Sequence, residues 1–244
     1  MAACKPLNKQ EISLMLETFT GRAAIRNVAL LTIGIQLGFR ISELLSLRVA
    51  DVLLRGRIRD SVTVGKSRTK GQRSARTVPL GPEAKQCVER LLTLLRKQGR
   101  FDMNAPLFQG QKRKGRAITR AHAAHVLRAA ADKAGIPGQV GTHSLRKTFA
   151  HNTHNHLSAQ QRNGVRVDPL IAVSRALGHR SLQSTASYLP FAEQCISEAI
   201  LSLSSVFDSA QLTEKLASKT KQKTAQFTEK NHASRSLLSI GMQK

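Results

Sequence analysis

At 244 residues the chain is long enough to bury a core, and its 41% hydrophobic content is ordinary for a globular protein. Thirty-nine Lys and Arg against fifteen Asp and Glu leave a net charge of +24, which destabilises a compact state unless a polyanion offsets it, so nucleic acid is the expected partner. Cys4, Cys87 and Cys195 contain no CxxC pair, which argues against a disulfide framework or a zinc ribbon, and no apolar stretch is long enough to span a bilayer. The opening residues, Met1-Ala2-Ala3-Cys4-Lys5-Pro6, lack an apolar signal core, so a reducing cytoplasm is expected.

Asn8 followed by Glu11 predicts a capped helix start, and Ile12, Met15, Leu16 and Phe19 recur at helical spacing. A second helix is expected over residues 23–37, apolar on all sides and therefore central, with Gly38 ending it. Ser42 is the expected cap of a third helix carrying Leu44, Leu45 and Leu47. That puts Arg40 in the corner between two helices and Glu43 in the first turn of the next. Residues 61–67 and 75–80 alternate and predict a β-hairpin. Its tip and flanks, Lys66, Arg68, Lys70, Arg73 and Arg76, hold five cations and no acid. Pro82 and Glu83 open a helix whose stripe is Ala84, Val88, Leu91 and Leu95. Lys112, Arg113, Lys114 and Arg116 form a second basic loop.

Thr119 is the expected cap of a helix that Gly135 ends, and Thr142 the cap of the helix holding His143 and Arg146. Within 158–167, Gln160-Gln161-Arg162-Asn163-Gly164 reads as a loop. Asp168 and Pro169 open a further helix, stopped by Gly178. A short helix is expected from Ser181 through Tyr188, then an amphipathic one over 191–206. Beyond Asp208 the chain is poor in apolar residues and reads as a flexible tail. The expected fold is mainly α with a small antiparallel β-hairpin (α+β). One domain covers residues 1–206 and a basic tail covers 207–244.

Three segments carry candidate chemistry. His143 and Arg146 are three apart and share a helix face, while Leu145 and Phe149 can anchor that helix in the core. Read alone, such a pair also describes a solvated surface. Gly178 breaks a helix just before His179, and Tyr188, the single tyrosine, follows nine residues later. Read alone, that tyrosine also fits a core position with a satisfied hydroxyl. Arg40 beside Glu43 is either a positioned guanidinium or an ordinary surface pair. His151, His154 and His156 have no Cys or acidic neighbour, and no metal site is expected from them.

The order joins these pieces. Arginine, basic hairpin, His-x-x-Arg, Leu-Gly-His and then tyrosine resembles the catalytic layout of the tyrosine recombinases, the phage integrase family. Arg76-Thr77-Val78-Pro79-Leu80, Pro106-Leu107-Phe108, Ala134-Gly135-Ile136 and Thr185 are smaller points of likeness, which extends over roughly residues 8–200. The resemblance implies that Tyr188 attacks a scissile phosphate, forms a 3′-phosphotyrosyl bond and expels a 5′-hydroxyl. A phenol has a pKa of about 10 and needs help to lose its proton, and the resemblance implies His143 as base or hydrogen-bond acceptor. It implies Arg40 and Arg146 as clamps on the non-bridging oxygens, where negative charge builds. His179 would donate a further hydrogen bond, and a hairpin lysine would protonate the leaving oxygen. Lys70 is the chosen lysine and Lys66 the alternative. Glu43 would orient the arginine turn. Lys66, Arg68, Arg73, Arg76, Lys112, Arg113, Lys114 and Arg116 are the expected DNA contacts. No carboxylate cluster and no Walker-type loop is present, so neither a metal, ATP nor another cofactor is expected.

The function implied is site-specific recombination (integration, excision, inversion or resolution) on double-stranded DNA with specific sites. A DNA-bound homotetramer in the cytoplasm or nucleoid of a bacterium, phage or plasmid host would carry it out. The alternatives are topoisomerase IB-like relaxation and a non-catalytic DNA-binding accessory role. About 37 residues precede the Arg40 turn, too few for the N-terminal clamp domain of many relatives. The chain thus resembles the short, catalytic-domain-only members, and an accessory DNA-binding protein could complete the clamp. In relatives the segment after the tyrosine docks on a neighbouring protomer. Residues 191–206 either do this here or pack on their own domain.

Overall fold

The computed structural model of the chain describes residues 4–65, 75–111, 115–179 and 181–186. The chain divides into two units, Met1–Pro190 and Phe191–Lys244, and every described residue lies in the first. The described residues are mostly helical with two small antiparallel hairpins, the fold class expected from sequence.

Helix α1 (Lys9–Thr18) starts as its sequence predicts. Asn8 Oδ1 accepts from Glu11 N at 2.8 Å and Glu11 Oε2 accepts from Asn8 N at 3.0 Å, so two N–H groups without partners inside the helix are satisfied. Helix α2 (Ala24–Leu37) is the central element. Ala29, Leu30, Ile33 and Leu37 belong to one core cluster, and Leu31 joins a second with Met15, Leu127 and Leu145. Gly38 ends α2 at φ +58°, a left-handed conformation that glycine adopts without a Cβ penalty. Helix α3 (Ile41–Leu45) has its cap at Arg40, two residues before the expected Ser42. Glu43 Oε2 accepts from Arg40 N at 2.8 Å, and that bond starts the helix early.

After α4 (Val49–Val52) comes a hairpin that the sequence reading did not anticipate. Strands β1 (Leu53–Leu54) and β2 (Arg57–Ile58) pair around Arg55 and Gly56, both at positive φ, as a tight hairpin turn requires. The expected hairpin is formed by β3 (Ser61–Val64) and β4 (Arg76–Pro79), with Val62 opposite Val78 and Thr63 opposite Thr77. Its paired part is shorter than the expected 61–67 and 75–80, and residues 66–74 lie outside the described residues. Val62, Val64, Arg76 and Val78 point inward.

Helix α5 (Pro82–Lys97) lays Ala84, Val88, Leu91 and Leu95 in the core shared with α2. Helix α6 (Arg120–Lys133) is capped by Thr119, whose Oγ1 accepts from His122 N at 3.1 Å. Helix α7 (Thr142–Arg162) is capped by Gly141 and not by Thr142, with Ser144 Oγ accepting from Gly141 N at 3.2 Å. It also runs further than expected. Residues 160–162 contain no breaker, so the loop expected from Gln160 begins only at Asn163, before Gly164 at φ +88°. Helix α8 (Pro169–Leu177) is capped by Asp168, whose Oδ1 accepts from Ile171 N at 2.9 Å. Helix α9 (Leu182–Ala186) is the described part of the helix expected to reach Tyr188. The helix expected over 191–206 and the tail over 207–244 lie outside the described residues. No described helix is long and apolar enough to cross a membrane.

Two glycines on α2 let α7 lie directly against it. A Cβ on Gly34 would sit 2.6 Å from Leu145 Cδ1 and 3.2 Å from Leu44 Cδ2, and one on Gly38 would meet the ring of Phe149. Arg146 lies between Leu145 and Phe149 in sequence, so this close packing carries it to the end of α2.

Candidate active site

Arg146 is only 2% exposed. Its Nη1 donates to Gly38 O at 2.6 Å and its Nη2 to Leu177 O at 2.7 Å. These carbonyls belong to the C-terminal ends of α2 and α8. The last carbonyls of a helix have no partner inside it and carry partial negative charge. Two helix ends therefore offset the desolvation of a buried guanidinium.

Arg40 leaves the end of α2 two residues after Gly38. Its Nη1 donates to Glu43 Oε1 at 3.0 Å, and the two side chains are 41% and 2% exposed. The carboxylate is thus inside, and the guanidinium extends toward solvent from a fixed base.

His179 is placed by the end of α8. Gly178 sits at φ +63°, and His179 N donates to Ser174 O at 3.0 Å, which reverses the chain and anchors the residue. The ring Nδ1 lies 2.8 Å from Oγ1 of the fully buried Thr185. Burial first, then the charges of Arg146, Arg40 and Arg76, push the imidazole down from its ordinary 6.5 to about 4. His179 is therefore neutral near pH 7 in this state.

Arg76 corrects an expectation. It was expected at the DNA backbone, but it is 8% exposed and turned into the core. Its Nη2 donates to Glu43 Oε2 at 3.1 Å, its Nη1 donates to Leu177 O, and its guanidinium carbon lies 4.6 Å from the centroid of the Phe39 ring. Strand alternation is the cause: Arg76 is two residues from buried Val78 and shares its inward face. That signal was present in the sequence.

The structure thus gathers Arg40, Glu43, Arg146 and His179, four members of the expected site, and adds Arg76. His143 is exposed, one turn before Arg146 at the start of α7. Arg116 is exposed in its loop. Tyr188, Lys66, Arg68, Lys70, Arg73, Lys112, Arg113 and Lys114 lie outside the described residues. Among the described residues no group of three His, Cys, Asp or Glu could hold a metal ion, and His151 Nε2 lies 3.1 Å from Asn155 Nδ2. A cavity of about 670 Å³ lies at the other end of α2, lined by Ala23, Arg26, Asn27, Thr119 and His122. It is separate from the arginine cluster, which follows the C-terminal end of that helix.

Arg40 and Arg146, with a buried carboxylate behind Arg40 and an imidazole beside them, make a site suited to a tetrahedral oxyanion such as a phosphodiester. The profile described as Phage integrase family matches residues 5–194. This chain belongs to the phage integrase family.

Other comparisons agree with membership in the phage integrase family. The chain is 32% identical over 189 residues to tyrosine recombinase XerD of Oceanobacillus iheyensis, covering 75% of this chain and 56% of that protein. It is 31% identical over 204 residues to tyrosine recombinase XerD of Mycobacterium leprae, covering 80% and 59%. The chain therefore spans little more than half the length of these curated relatives. Among solved structures, XerH site-specific recombinase bound to palindromic difH substrate, a post-cleavage complex, aligns with a TM-score of 0.58 at 27% identity, over 80% of this chain and 52% of that one. XerA recombinase aligns with a TM-score of 0.60 at 22% identity, over 81% and 64%, a likeness of fold.

Proposed function

We propose that this integrase-family chain is a site-specific recombinase that cuts and rejoins double-stranded DNA through a 3′-phosphotyrosyl bond on Tyr188. The observation that carries the reading is the placement of Arg40, Arg146 and His179 around two helix ends, with Glu43 buried beneath. Arg40 and Arg146 contact the non-bridging oxygens and offset the charge that builds there. His179 is neutral and donates one ring N–H to the same phosphate, its other nitrogen facing Thr185. His143 takes or shares the phenol proton as the tyrosine oxygen bonds to phosphorus. The 5′-oxygen leaves with a proton from a hairpin lysine, Lys70 or Lys66. The ester conserves the bond energy, so religation by an incoming 5′-hydroxyl needs no ATP, and fixed guanidiniums take the place of a metal.

The reading extends to the assembly. Four protomers act on two duplexes in the cytoplasm, and the hairpin tip and the second basic loop contact the backbone. Residues 1–206 form the catalytic domain and 207–244 a basic tail. The test uses duplexes carrying the genomic flanks of the gene, nicked near candidate sites so that the cleaved strand diffuses away. An SDS-resistant adduct that vanishes in Tyr188→Phe supports the reading and locates the site. No adduct on duplexes the protein binds refutes it and favours a non-catalytic DNA-binding role. Relaxation of plasmids that lack such a site favours a topoisomerase.

A further inference from the structure

We propose that Arg76 is a positioning residue for strand cleavage, its one buried guanidinium setting the spacing between the Arg40 corner and the Leu177-Gly178-His179 turn. The proposal rests on the recombinase reading above. Arg76 Nη2 donates to Glu43 Oε2 at 3.1 Å, the same oxygen that accepts from Arg40 N. Arg76 Nη1 donates to Leu177 O, the same carbonyl that accepts from Arg146 Nη2. A single fork therefore touches the acceptor that holds each phosphate-clamping arginine. It joins chain segments 33 and 101 residues away. The two amine groups of a guanidinium sit on one planar carbon, so their separation is fixed, and Phe39 beneath fixes the plane. His179 follows Leu177 by two residues, so the imidazole is held by the same link.

The charge balance argues against packing alone. Arg40 and Arg76 share one carboxylate, Glu43, and the charge of Arg146 acts on Arg76 as well. An apolar side chain at this inward position would avoid the desolvation of a third cation. Burial first, and then Arg146 and Arg40 against the opposing pull of Glu43, lower Arg76 to about 10, which leaves it charged at neutral pH. Two like charges that must converge on one phosphate repel each other. Arg76 holds their supports at a set distance without approaching the phosphate itself.

The test compares native protein with Arg76→Lys and Arg76→Met in single-turnover cleavage of a nicked duplex carrying the site that the adduct assay locates. A second duplex carries a methylphosphonate at the scissile position, which removes the charge that the clamp offsets. Misplacement by about 1 Å lowers cleavage of the phosphate substrate by about 100-fold in Arg76→Lys. Duplex affinity sums over many phosphate contacts and stays within about threefold. On the methylphosphonate the deficit shrinks to about tenfold or less, because a displaced clamp matters less to a neutral centre. A merely structural defect lowers the active fraction equally on both substrates, and an unchanged ratio overturns the proposal. Should Arg76→Met not fold, Arg76→Lys carries the comparison. Nitrogen-15 spectra of the DNA-free protein read the geometry separately: the side-chain signals of Arg40 and Arg146 move in Arg76→Lys, and unmoved signals overturn the proposal. Native protein that cleaves beside an equally fast Arg76→Lys defeats only the positioning role. Native protein that forms no adduct on bound duplexes defeats the recombinase reading, and the positioning role with it.

Discussion

Replacing Glu43 by Gln preserves shape and removes one charge at the hub of the cluster. The carboxylate accepts three bonds: Arg40 Nη1 at 3.0 Å on Oε1, and Arg40 N at 2.8 Å and Arg76 Nη2 at 3.1 Å on Oε2. An amide offers one oxygen. The less damaging orientation puts the NH₂ at the Oε1 position and faces it toward the Arg40 guanidinium. That side chain is 41% exposed, so water replaces much of the lost contact. The larger loss is at Arg76, where both side chains are below 10% exposed and the remaining bond is to a neutral oxygen. Breaking a buried pair costs about 3–5 kcal/mol, and the surviving neutral bond returns about 1 kcal/mol, so a loss of about 2–4 kcal/mol is expected. For a chain of this size each kcal/mol lowers Tm by about 2–4 °C, which puts the shift at about 4–16 °C. Urea unfolding followed by far-UV circular dichroism at neutral pH measures it. A loss under about 0.5 kcal/mol, the scale of ordinary surface substitutions, would show that the carboxylate does not hold this corner.

Four further outcomes are expected. Gly34→Ala puts a methyl 2.6 Å from Leu145 Cδ1 and lowers stability by about 1–3 kcal/mol in the same unfolding assay; an unchanged midpoint means that α7 can shift freely on α2. Asp168→Ala removes the acceptor for Ile171 N and costs about 1 kcal/mol, read from the urea midpoint, with no loss if water caps α8 equally well. For His179, depressed from 6.5 to about 4 in the fold, the unfolded chain binds a proton that the native state rejects, so its stability contribution is whole above pH 6.5 and lost as pH falls toward 4. Urea midpoints over that range show a slope that His179→Gln flattens, and an equal slope in both proteins refutes the assignment. Tyr188→Phe leaves duplex binding intact and abolishes the covalent adduct; an adduct that persists places the nucleophile elsewhere, since Tyr188 is the single tyrosine.

Local chemistry determined much of this protein from its sequence. The caps at Asn8, Thr119 and Asp168, and the helix ends at Gly38 and Gly178, each act over three to five residues. The order of Arg40, the hairpin, His143, Arg146, His179 and Tyr188 was enough to point to the family. Where two local acceptors competed, sequence alone misplaced the start: Glu43 and Ser144 reach back to Arg40 and Gly141, ahead of the hydroxyls of Ser42 and Thr142. The extension of α7 through Arg162 was hidden because the polar run over 160–162 suits a helix as well as a loop.

Only the tertiary structure decided which partners each arginine meets. Alternation along the hairpin signals that Arg76 turns inward, but not what it meets there. Its neighbours in space are Glu43 and Leu177, 33 and 101 residues away. Arg146 is held by Gly38, 108 residues distant, through two glycines that allow two helices to touch. Hydrogen-bonding capacity is written in residue types, but the partner that satisfies a buried guanidinium is set by which helix ends the packing brings within 3 Å.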